Sequence, residues 1–323
     1  MAAWYEVANA DRIPSPALLV YPDRITENFR RMVATAGGPQ RLRPHVKTHK
    51  MPEVVRLALA AGIRRFKAAT IAEAEMAAAA GADDVLLAYP VVGPTAGRLV
   101  ELVRRFPATR FRAVIDSDVG CDDLARAAAA GGTTIDTLID LDVGMHRTGV
   151  PPGSEALRLA RRIADSGSLS FGGLHAYDGH LTDTDHGRLV DRVAAAFEPV
   201  WRLRETLVAD GLGVPLVVAG GSPTFPILAG HADVDLGAGP TAVWDFGQPL
   251  VSPDLDYLSA AVLLTRVVSR PTADRLCLDL GHKAVASEMP HPRVRILGLE
   301  DATFPIHSEE HLVVETSRAA ADP

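Results

Sequence analysis

Hydrophobic and polar positions follow two patterns along the first three quarters of the chain. Short runs rich in Val, Ile and Leu, typical of buried strands, are separated by stretches whose apolar residues follow a helical period. Alanine-rich stretches such as 71–81 and 122–131 are predicted to be helices, and several end on glycine, the common left-handed cap. The predicted strands cover residues 41–46, 64–70, 84–89, 110–116, 136–142, 171–177, 215–220 and 232–239.

This regular alternation of strand and helix predicts parallel strands joined by right-handed crossovers. Eight such units favour a (β/α)8 TIM-type barrel over an open doubly wound sheet, although local patterns allow both. In a barrel the functional side chains stand at the carboxyl ends of the strands. Candidate catalytic and binding residues are therefore expected at those strand ends.

The pattern changes near residue 250, where strand-like runs follow one another without a long helix. We predict that residues 1–248 form the barrel domain and residues 249–323 a smaller all-β domain, with residues 1–22 as a candidate partner of the latter. The strand-like runs lie at 258–270, 274–281, 293–299, 302–308 and 309–316.

Charge and cysteine content narrow the functional class. The 323 residues include 33 basic and 40 acidic ones, a net charge of −7, with no run of five or more basic residues, which argues against nucleic-acid and anionic-membrane partners. Cys121 and Cys277 lie in unrelated contexts and suggest neither a disulfide framework nor a thiolate zinc site. The chain shows no signal-peptide pattern and no apolar run of membrane-spanning length. A cytoplasmic enzyme acting on a small molecule is expected.

The first predicted strand ends in a basic stretch, residues 45–50, with Lys47 between His45 and His49. Basic neighbours and partial burial lower the pKa of a lysine, and the neutral amine attacks carbonyls. Lys47 is therefore a candidate for a Schiff base, whereas a solvated basic turn is the alternative interpretation.

Two glycine-rich loops follow the seventh and eighth predicted strands, at residues 220–224 and 237–241. These positions form the usual phosphate site of barrel enzymes, where backbone N–H groups and hydroxyls approach an anion. A lysine combined with a phosphate site indicates a carbonyl-bearing phosphate cofactor, foremost pyridoxal 5'-phosphate (PLP). A sugar-phosphate barrel enzyme is the alternative. The predicted phosphate ligands are Gly220, Gly221, Ser222, Gly239 and Thr241.

Two further strand ends carry candidate side chains. Arg147 follows the fifth strand, where its planar fork could bind a ring oxygen or a substrate carboxylate, or could be an ordinary surface arginine. His175, Tyr177 and His180 follow the sixth strand and could stack on a planar ring or transfer protons. Each histidine taken alone is more often structural.

Four motifs together resemble the fold-type III PLP enzymes, the alanine-racemase-like barrels, and within them the D-threonine aldolase and D-serine dehydratase group. RPHVKTHK at 43–50 is similar to the group's lysine motif, and DVGMHRTGV at 142–150 to its arginine element. VAGGSPTF at 218–225 and GAGPTAVWD at 237–245 resemble its phosphate loops. Segments 278–288 and 307–315 resemble its β-domain, so the similarity spans nearly the whole chain.

The resemblance implies a role for each matching residue. Lys47 would hold PLP as a Schiff base, Arg147 would contact the ring oxygen, and Tyr177 and His175 would lie near the ring. Gly221, Ser222, Gly239 and Thr241 would surround the phosphate. A homodimer is also implied, in which four residues of the β-domain would lie near the mouth of the partner's site: Asp279, Lys283, His307 and His311.

Two departures from the group are visible. The group often has a catalytic histidine six positions after the strand-six tyrosine, where this chain has Asp183, and His180 is the predicted substitute. The group's divalent metal (Mn²⁺, Mg²⁺ or Zn²⁺) is bound by a late residue pair downstream of 307–315, and no such pair occurs before residue 323. We therefore assign no metal ligand and expect the β-domain to be incomplete.

The expected function is that of a PLP-dependent lyase for D-β-hydroxy amino acids. A D-threonine aldolase-like reaction, giving glycine and acetaldehyde, is favoured, and a D-serine dehydratase-like reaction is the alternative. A racemase needs a second base, typically a tyrosine, and the C-terminal segment offers only Tyr257, in a poor context. A PLP-carrier protein is disfavoured because such relatives usually lack the β-domain.

Overall fold

A computed structural model describes residues 3–286 and 289–320; the end of the segment 278–288 and the final residues 321–323 lie outside it. The helices are α1 Pro22–Ala36, α2 Pro52–Ala60, α3 Ile71–Ala79, α4 Pro94–Arg105, α5 Asp118–Ala130, α6 Ser154–Ala164, α7 His186–Ala209, α8 Phe225–Leu228 and α9 Gln248–Val251. The strands are β1 Ala17–Val20, β2 Arg65–Ala68, β3 Asp84–Pro90, β4 Arg110–Ile115, β5 Ile135–Leu141, β6 Leu169–Ala176, β7 Val217–Ala219, β8 Val234–Leu236, β9 Ala261–Leu264, β10 Val267–Thr272, β11 Arg275–Leu278, β12 Thr303–His307 and β13 Leu312–Glu315.

Residues 22–258 form one compact unit around a parallel sheet with the strand order β2-β3-β4-β5-β6-β7-β8. The chain before β2 closes this sheet, since Leu42 bridges Leu236 of β8 and His45 bridges Lys67 of β2. A segment that bridges both edge strands excludes an open sheet. The predicted TIM-type barrel is confirmed, with its first strand reduced to two bridges because Pro44 has no N–H to donate to a ladder.

Local side-chain chemistry explains where the barrel helices begin. The Thr70 hydroxyl accepts a hydrogen bond from the Glu73 N–H (3.1 Å), and the Glu73 carboxylate accepts one from the Ala69 N–H (2.7 Å), so α3 starts in a reciprocal cap. Asp185 caps α7 through the Arg188 N–H at 2.7 Å. These caps fix the strand-to-helix turns at the carboxyl end of the barrel.

The barrel interior is built in layers. Leu86, Val114, Leu138 and Val218, all fully buried, form an apolar layer in its middle. Nearer the amino-terminal ends of the strands lies a buried network of arginines and aspartates. Its main contacts are Arg43 to Asp84 (2.5 Å), Arg43 to Asp235 (3.1 Å), Arg112 to Asp84 (2.8 Å) and Arg65 to Asp235 (2.8 Å).

Replacing Arg43 with methionine is expected to lower the free energy of unfolding by about 3–5 kcal/mol, because Asp84 and Asp235 would lose their shared buried partner. Urea unfolding followed by circular dichroism measures the change. The matched control is Arg56→Met, which removes an exposed arginine paired with Glu53 and should cost less than about 1 kcal/mol. Equal losses in the two variants would contradict a stabilising role for the network.

Residues 3–21 and 259–320 form the second described unit. In it β1 pairs antiparallel with β9, and a separate antiparallel sheet has the order β10-β11-β13-β12. The predicted strand at 293–299 is wrong, since no regular strand forms there; Val294 and Ile296 instead pack against the apolar core of this unit. That core is formed by Leu276, Leu278, Leu280, Leu312, Val314 and Ala319.

None of the described helices combines the length and the apolar character that a bilayer crossing requires.

Candidate active site

Lys47 stands where the barrel's first segment turns out of the sheet. After the His45 bridge the chain makes one 3-10 turn, Val46–Thr48, and the Lys47 N–H donates to the His45 Nδ1 at 3.1 Å. The predicted partial burial of Lys47 is wrong, because its residue is exposed. This places the amine at the open carboxyl end of the barrel, where a substrate can reach it.

Both histidines beside Lys47 are neutral at physiological pH. Burial, reinforced by the charges of Lys67 and Lys47, lowers the pKa of His45 to about 2. Burial likewise lowers the pKa of His49 to about 4, and its Nδ1 accepts the Met51 N–H at 3.1 Å. The positive charge that acts near Lys47 therefore comes from another lysine, Lys67, and not from the flanking histidines as the sequence suggested.

The ring of Tyr177 lies among three cationic groups. The Lys47 Nζ is 5.9 Å from the ring centroid, the Lys67 Nζ 5.8 Å and the Arg147 Cζ 5.0 Å. Burial raises the pKa of Tyr177 despite the opposing charge of Arg147, so the phenol keeps its proton. Three residues predicted from separate strand ends, Lys47, Arg147 and Tyr177, thus converge on one place.

His175 is oriented by a buried carboxylate. Its Nδ1 lies 2.7 Å from an oxygen of Asp140, whose second oxygen accepts the Thr148 hydroxyl at 2.8 Å. Burial raises the pKa of Asp140, but the hydrogen bonds from His175 and Thr148 and the charges of His175 and Arg147 together outweigh it, so the pKa lies below its usual value. Burial lowers the pKa of His175, and its Nε2 is buried without a hydrogen-bond partner in the described structure. A neutral imidazole with one unused nitrogen results.

A cavity connects these side chains. Asp140, Arg147, Thr148, His175 and Tyr177 all line it, together with Ala88, Leu141, Asp142 and Met145. The lining therefore draws on the carboxyl ends of β3, β5 and β6, which is where barrel enzymes bind their ligands.

The two glycine loops form a buried cradle of neutral donors. The Ser222 hydroxyl lies 3.1 Å from the Thr241 hydroxyl and 3.4 Å from the Gly239 N–H. A Cβ on Gly221 would lie 3.4 Å from the Tyr177 ring, and one on Gly239 would lie 3.5 Å from His45. Gly220 has a φ of +86°, which glycine adopts without strain. The cradle thus borders both the tyrosine ring and the lysine-bearing turn.

These features fit PLP. The cradle offers hydroxyls and an amide to a phosphate, Lys47 offers an amine to an aldehyde, and His175 leaves a buried nitrogen for a polar partner. Of the residues carried over from the resemblance, Arg147, His175 and Tyr177 line the cavity, and Lys47 and the glycine cradle lie near the Tyr177 ring, while the role of each stays a prediction.

His180 is better suited to proton transfer than Asp183, because the Asp183 carboxylate is already held in ion pairs. Asp183 is held in ion pairs with Arg188 (3.1 Å) and Arg192. The His180 Nδ1 is buried without a hydrogen bond among the described residues, and burial lowers the pKa of His180. Its Nε2 would lie 3.1 Å from a Cβ on Gly144.

The loop that packs against His180 is fixed by Asp142. One carboxylate oxygen of Asp142 accepts the N–H groups of Gly144 (2.9 Å) and His146 (3.0 Å), and the other lies 2.7 Å from the His146 Nδ1. Because the same loop continues into Arg147, Asp142 helps to set the position of both candidate side chains.

The four weaker candidates all lie in the second unit, and three of them contact other residues of that unit. Asp279 accepts the Thr265 hydroxyl and the Arg266 N–H, both at 2.8 Å. Lys283 is exposed and pairs with Glu309 and Glu310, the His307 Nε2 lies 3.1 Å from the Leu280 carbonyl oxygen, and His311 is exposed. Their place near a partner's site stays a prediction.

The described residues provide no metal site. Within 3–286 and 289–320, no group of three or more His, Cys, Asp or Glu side chains is arranged to hold a metal ion. The described residues therefore offer no ligand set for the divalent metal implied by the resemblance.

Sequence reasoning missed two buried ionisable residues near the Tyr177 ring, Lys67 and its neighbour Asp178. Lys67 lies inside the predicted strand 64–70, on the face that alternates away from Phe66 and Ala68. A lysine on the inward face of a barrel strand was a usable signal. Asp178 directly follows Tyr177 and carried no signal beyond that neighbour.

Comparisons with known proteins agree with the motifs. The family model described as alanine racemase, N-terminal domain matches residues 20–236, and the one described as putative serine dehydratase domain matches residues 260–323. D-threonine aldolase of Arthrobacter sp. is 29% identical and covers 97% of this chain and 83% of its own length. 3-Hydroxy-D-aspartate aldolase of Paracoccus denitrificans is 28% identical, covering 94% of this chain and 80% of its own length.

Solved structures give the same picture. D-threonine aldolase from Filomicrobium marinum superimposes with a TM-score of 0.87 at 29% identity, over 97% of this chain and 85% of that one. D-threo-3-hydroxyaspartate dehydratase from Delftia sp. gives a TM-score of 0.80 at 24% identity, over 97% and 86%, and so supports the fold alone. Both similarities extend over the barrel and the β-domain.

Proposed function

The chain belongs to the family of the alanine racemase N-terminal domain and is, like the aldolases it matches, a PLP-dependent lyase; on this premise we propose that it cleaves D-threonine to glycine and acetaldehyde. The observation that carries the proposal is the convergence of Lys47 and Arg147 on Tyr177, beside the Ser222–Thr241 cradle. The choice of an aldolase is supported by the D-threonine aldolases, which match nearly the whole chain by sequence and by structure.

Different barrel residues would bind different parts of the cofactor. Ser222, Thr241 and the Gly239 N–H would hold the phosphate, and Arg147 the ring oxygen, while the Lys47 amine would bond the aldehyde. When bound there, PLP supplies an aromatic ring that accepts the electron pair left by bond cleavage at Cα. The His175 ring is held by Asp140 and offers its Nε2 as an acceptor in the same cavity.

His180 would accept the proton of the substrate β-hydroxyl. The reaction needs this base because the Cα–Cβ bond breaks as the hydroxyl becomes an aldehyde carbonyl. Burial keeps the His180 imidazole neutral, so a nitrogen can accept the proton. Asp183 is unsuited to this role because two arginines already share its carboxylate.

A dehydratase is the second candidate. The match of residues 260–323 to the putative serine dehydratase domain favours it. In that reaction Lys47, once released, would remove the Cα proton while the β-hydroxyl departs, and the Cα–Cβ bond would stay intact. The two reactions share the whole pocket and differ in the bond that breaks.

Product analysis separates these reactions. With D-threonine, the PLP-loaded protein is expected to release glycine and acetaldehyde in equal amounts, measured by amino-acid chromatography and an aldehyde dehydrogenase assay. Parallel reactions contain added Mn²⁺, Zn²⁺ or EDTA, and L-threonine is the stereochemical control.

Other products would contradict the aldolase proposal. Release of a 2-oxo acid from D-serine or D-threonine, without glycine, would assign the dehydratase reaction instead. Inversion at Cα with neither product would assign a racemase. The homodimer and the cytoplasmic location stay predictions, which size-exclusion chromatography with light scattering and cell fractionation would test.

A further inference from the structure

Lys67 is exceptional among the lysines of this chain. The sequence has four lysines among 33 basic residues, and Lys47, Lys50 and Lys283 are exposed. Lys67 is 2% exposed and lies inside the barrel, where the other buried cations are the arginines of the amino-terminal network. A buried lysine that takes no part in that network calls for another role.

The Lys67 amine occupies a defined place beneath the reactive end of the pocket. The His45–Lys67 bridge places Lys67 level with His45, two residues before Lys47 on a segment that leaves the sheet at the carboxyl end of the barrel. Its Nζ lies 2.3 Å from the point where a Cβ of Gly237 would stand, and the Gly220 carbonyl oxygen lies 2.7 Å from the same point. The amine thus fills the space above Gly237, between the bases of the two phosphate loops and the Tyr177 ring.

Asp178 supplies a buried charge of opposite sign. It is fully buried, and neither carboxylate oxygen forms a hydrogen bond of normal geometry with the described residues. Burial raises the pKa of Asp178 to about 6 and lowers the pKa of Lys67 to about 8, the latter partly offset by the attraction of Asp178. At neutral pH the two side chains therefore carry opposite charges.

The positions of the substituents on the PLP ring determine which cofactor atom would lie near the Lys67 amine. The aldehyde carbon must face the mouth of the barrel, where Lys47 and the substrate amine reach it. The pyridine nitrogen is para to the aldehyde-bearing ring carbon, so it points the opposite way, into the barrel. The amine of Lys67 lies on that inner side, because Lys67 pairs with His45, before the exposed Lys47 turn, and its amine is buried beside Gly237.

We propose that the Lys67 ammonium donates a hydrogen bond to the pyridine nitrogen of the bound cofactor, with Asp178 as its counter-charge. This inference rests on the proposed PLP-dependent function. An ammonium carries only donors, so the ring nitrogen it meets must be an acceptor and stays unprotonated. The pocket would thereby limit how strongly the ring withdraws electrons, in favour of cleavages that leave a well-stabilised product.

The first test uses PLP labelled with ¹⁵N at the ring nitrogen. In the parent protein its chemical shift is expected to report an unprotonated, hydrogen-bonded nitrogen at neutral pH. In Lys67→Met the shift should move, and the dissociation constant for PLP should rise about 10–100-fold, as expected for the loss of a charged hydrogen bond. The matched control is Lys50→Met, which removes an exposed lysine paired with Glu73 and should change neither value.

The counter-charge has its own readout. Asp178→Asn removes the attraction that supports the Lys67 ammonium, so the pKa of Lys67 should fall below about 8 and the pH at which the ¹⁵N shift changes should fall with it. The position of this transition reports an interaction that a purely structural aspartate would not give. The ionisable groups that face Lys67 are Asp178, Tyr177, Lys47, Arg43, Asp140, His45 and His175.

Two results would overturn the proposed hydrogen bond from Lys67 to the ring nitrogen. An unchanged ¹⁵N shift in Lys67→Met overturns the proposal, as does a protonated ring nitrogen in the parent, which would make Asp178 the partner. Borohydride reduction and peptide mapping are run alongside. If no lysine carries PLP, the proposed function itself fails, whereas PLP on Lys47 with an unchanged ¹⁵N shift rejects this inference alone.

A measurement on the unmutated protein covers the case in which Lys67→Met does not fold. With ¹⁵Nζ-labelled lysine, four side-chain resonances are expected. Loading with PLP should shift the resonances of Lys47 and Lys67 and leave those of Lys50 and Lys283 in place. A Lys67 resonance that ignores the cofactor would overturn the proposal.

Discussion

Replacing Lys47 with alanine is expected to abolish the visible absorbance band of the lysine-bound cofactor and to slow turnover by at least about 10⁴-fold. Lys47 is the exposed amine at the carboxyl end of the barrel, 5.9 Å from the Tyr177 ring, and it would both bond the cofactor and return as a free amine in each cycle. Absorbance spectroscopy and steady-state assays with D-threonine measure the two effects.

Lys50→Ala is the matched control for this variant. Lys50 lies three residues away, is also exposed and pairs with Glu73 at 2.9 Å, so its loss should leave both the band and the turnover close to the parent values. The assignment would be contradicted if Lys47→Ala kept its band. Borohydride reduction and peptide mapping would then show which lysine holds the cofactor. Lys67, whose Nζ lies 5.8 Å from the Tyr177 ring, would be the alternative to test.

Replacing His180 with alanine is expected to reduce kcat for aldol cleavage by about 10²–10⁴-fold, the usual range for the loss of a general base. Binding of PLP should be unaffected, because the cradle and Lys47 are untouched. Asp183→Asn serves as the comparison, since its carboxylate is already shared by Arg188 and Arg192, and its activity should stay within about tenfold of the parent. A larger loss in Asp183→Asn than in His180→Ala would reverse the assignment.

The pH profile gives an independent check of His180. Burial lowers its pKa below the ordinary value of 6.5, and the base must be neutral to act. The acidic fall in kcat/KM should therefore lie below pH 6.5 and should disappear in His180→Ala. An acidic fall that persists unchanged in His180→Ala belongs to a different group.

The motifs around Lys47, Arg147, Tyr177 and Ser222 could be predicted from the sequence because each lies at the end of a recognisable strand. Barrel topology brings all strand ends to one face, so local recognition was enough to group them. The structure places the Lys47 Nζ and the Arg147 Cζ within about 6 Å of the Tyr177 ring centroid.

Other features depend on packing that local patterns do not encode. The pairing of Asp183 with two arginines is set by the start of α7, and the neutral state of His45 follows from burial inside the closed barrel. The apolar run at 293–299 has the composition of a strand, but it packs against the core of its unit without joining a sheet. In each case tertiary surroundings override the local pattern.

The ion pairs of Lys50 and Lys283 would have a consequence under the proposed aldolase function, because that reaction releases an aldehyde. Free aldehydes modify proteins chiefly by condensing with neutral side-chain amines, and an ammonium held by a carboxylate does not condense. Lys50 pairs with Glu73, while Glu309 and Glu310 raise the pKa of Lys283. With arginine as the main basic residue, the chain presents few amines that its own product could damage over many turnovers.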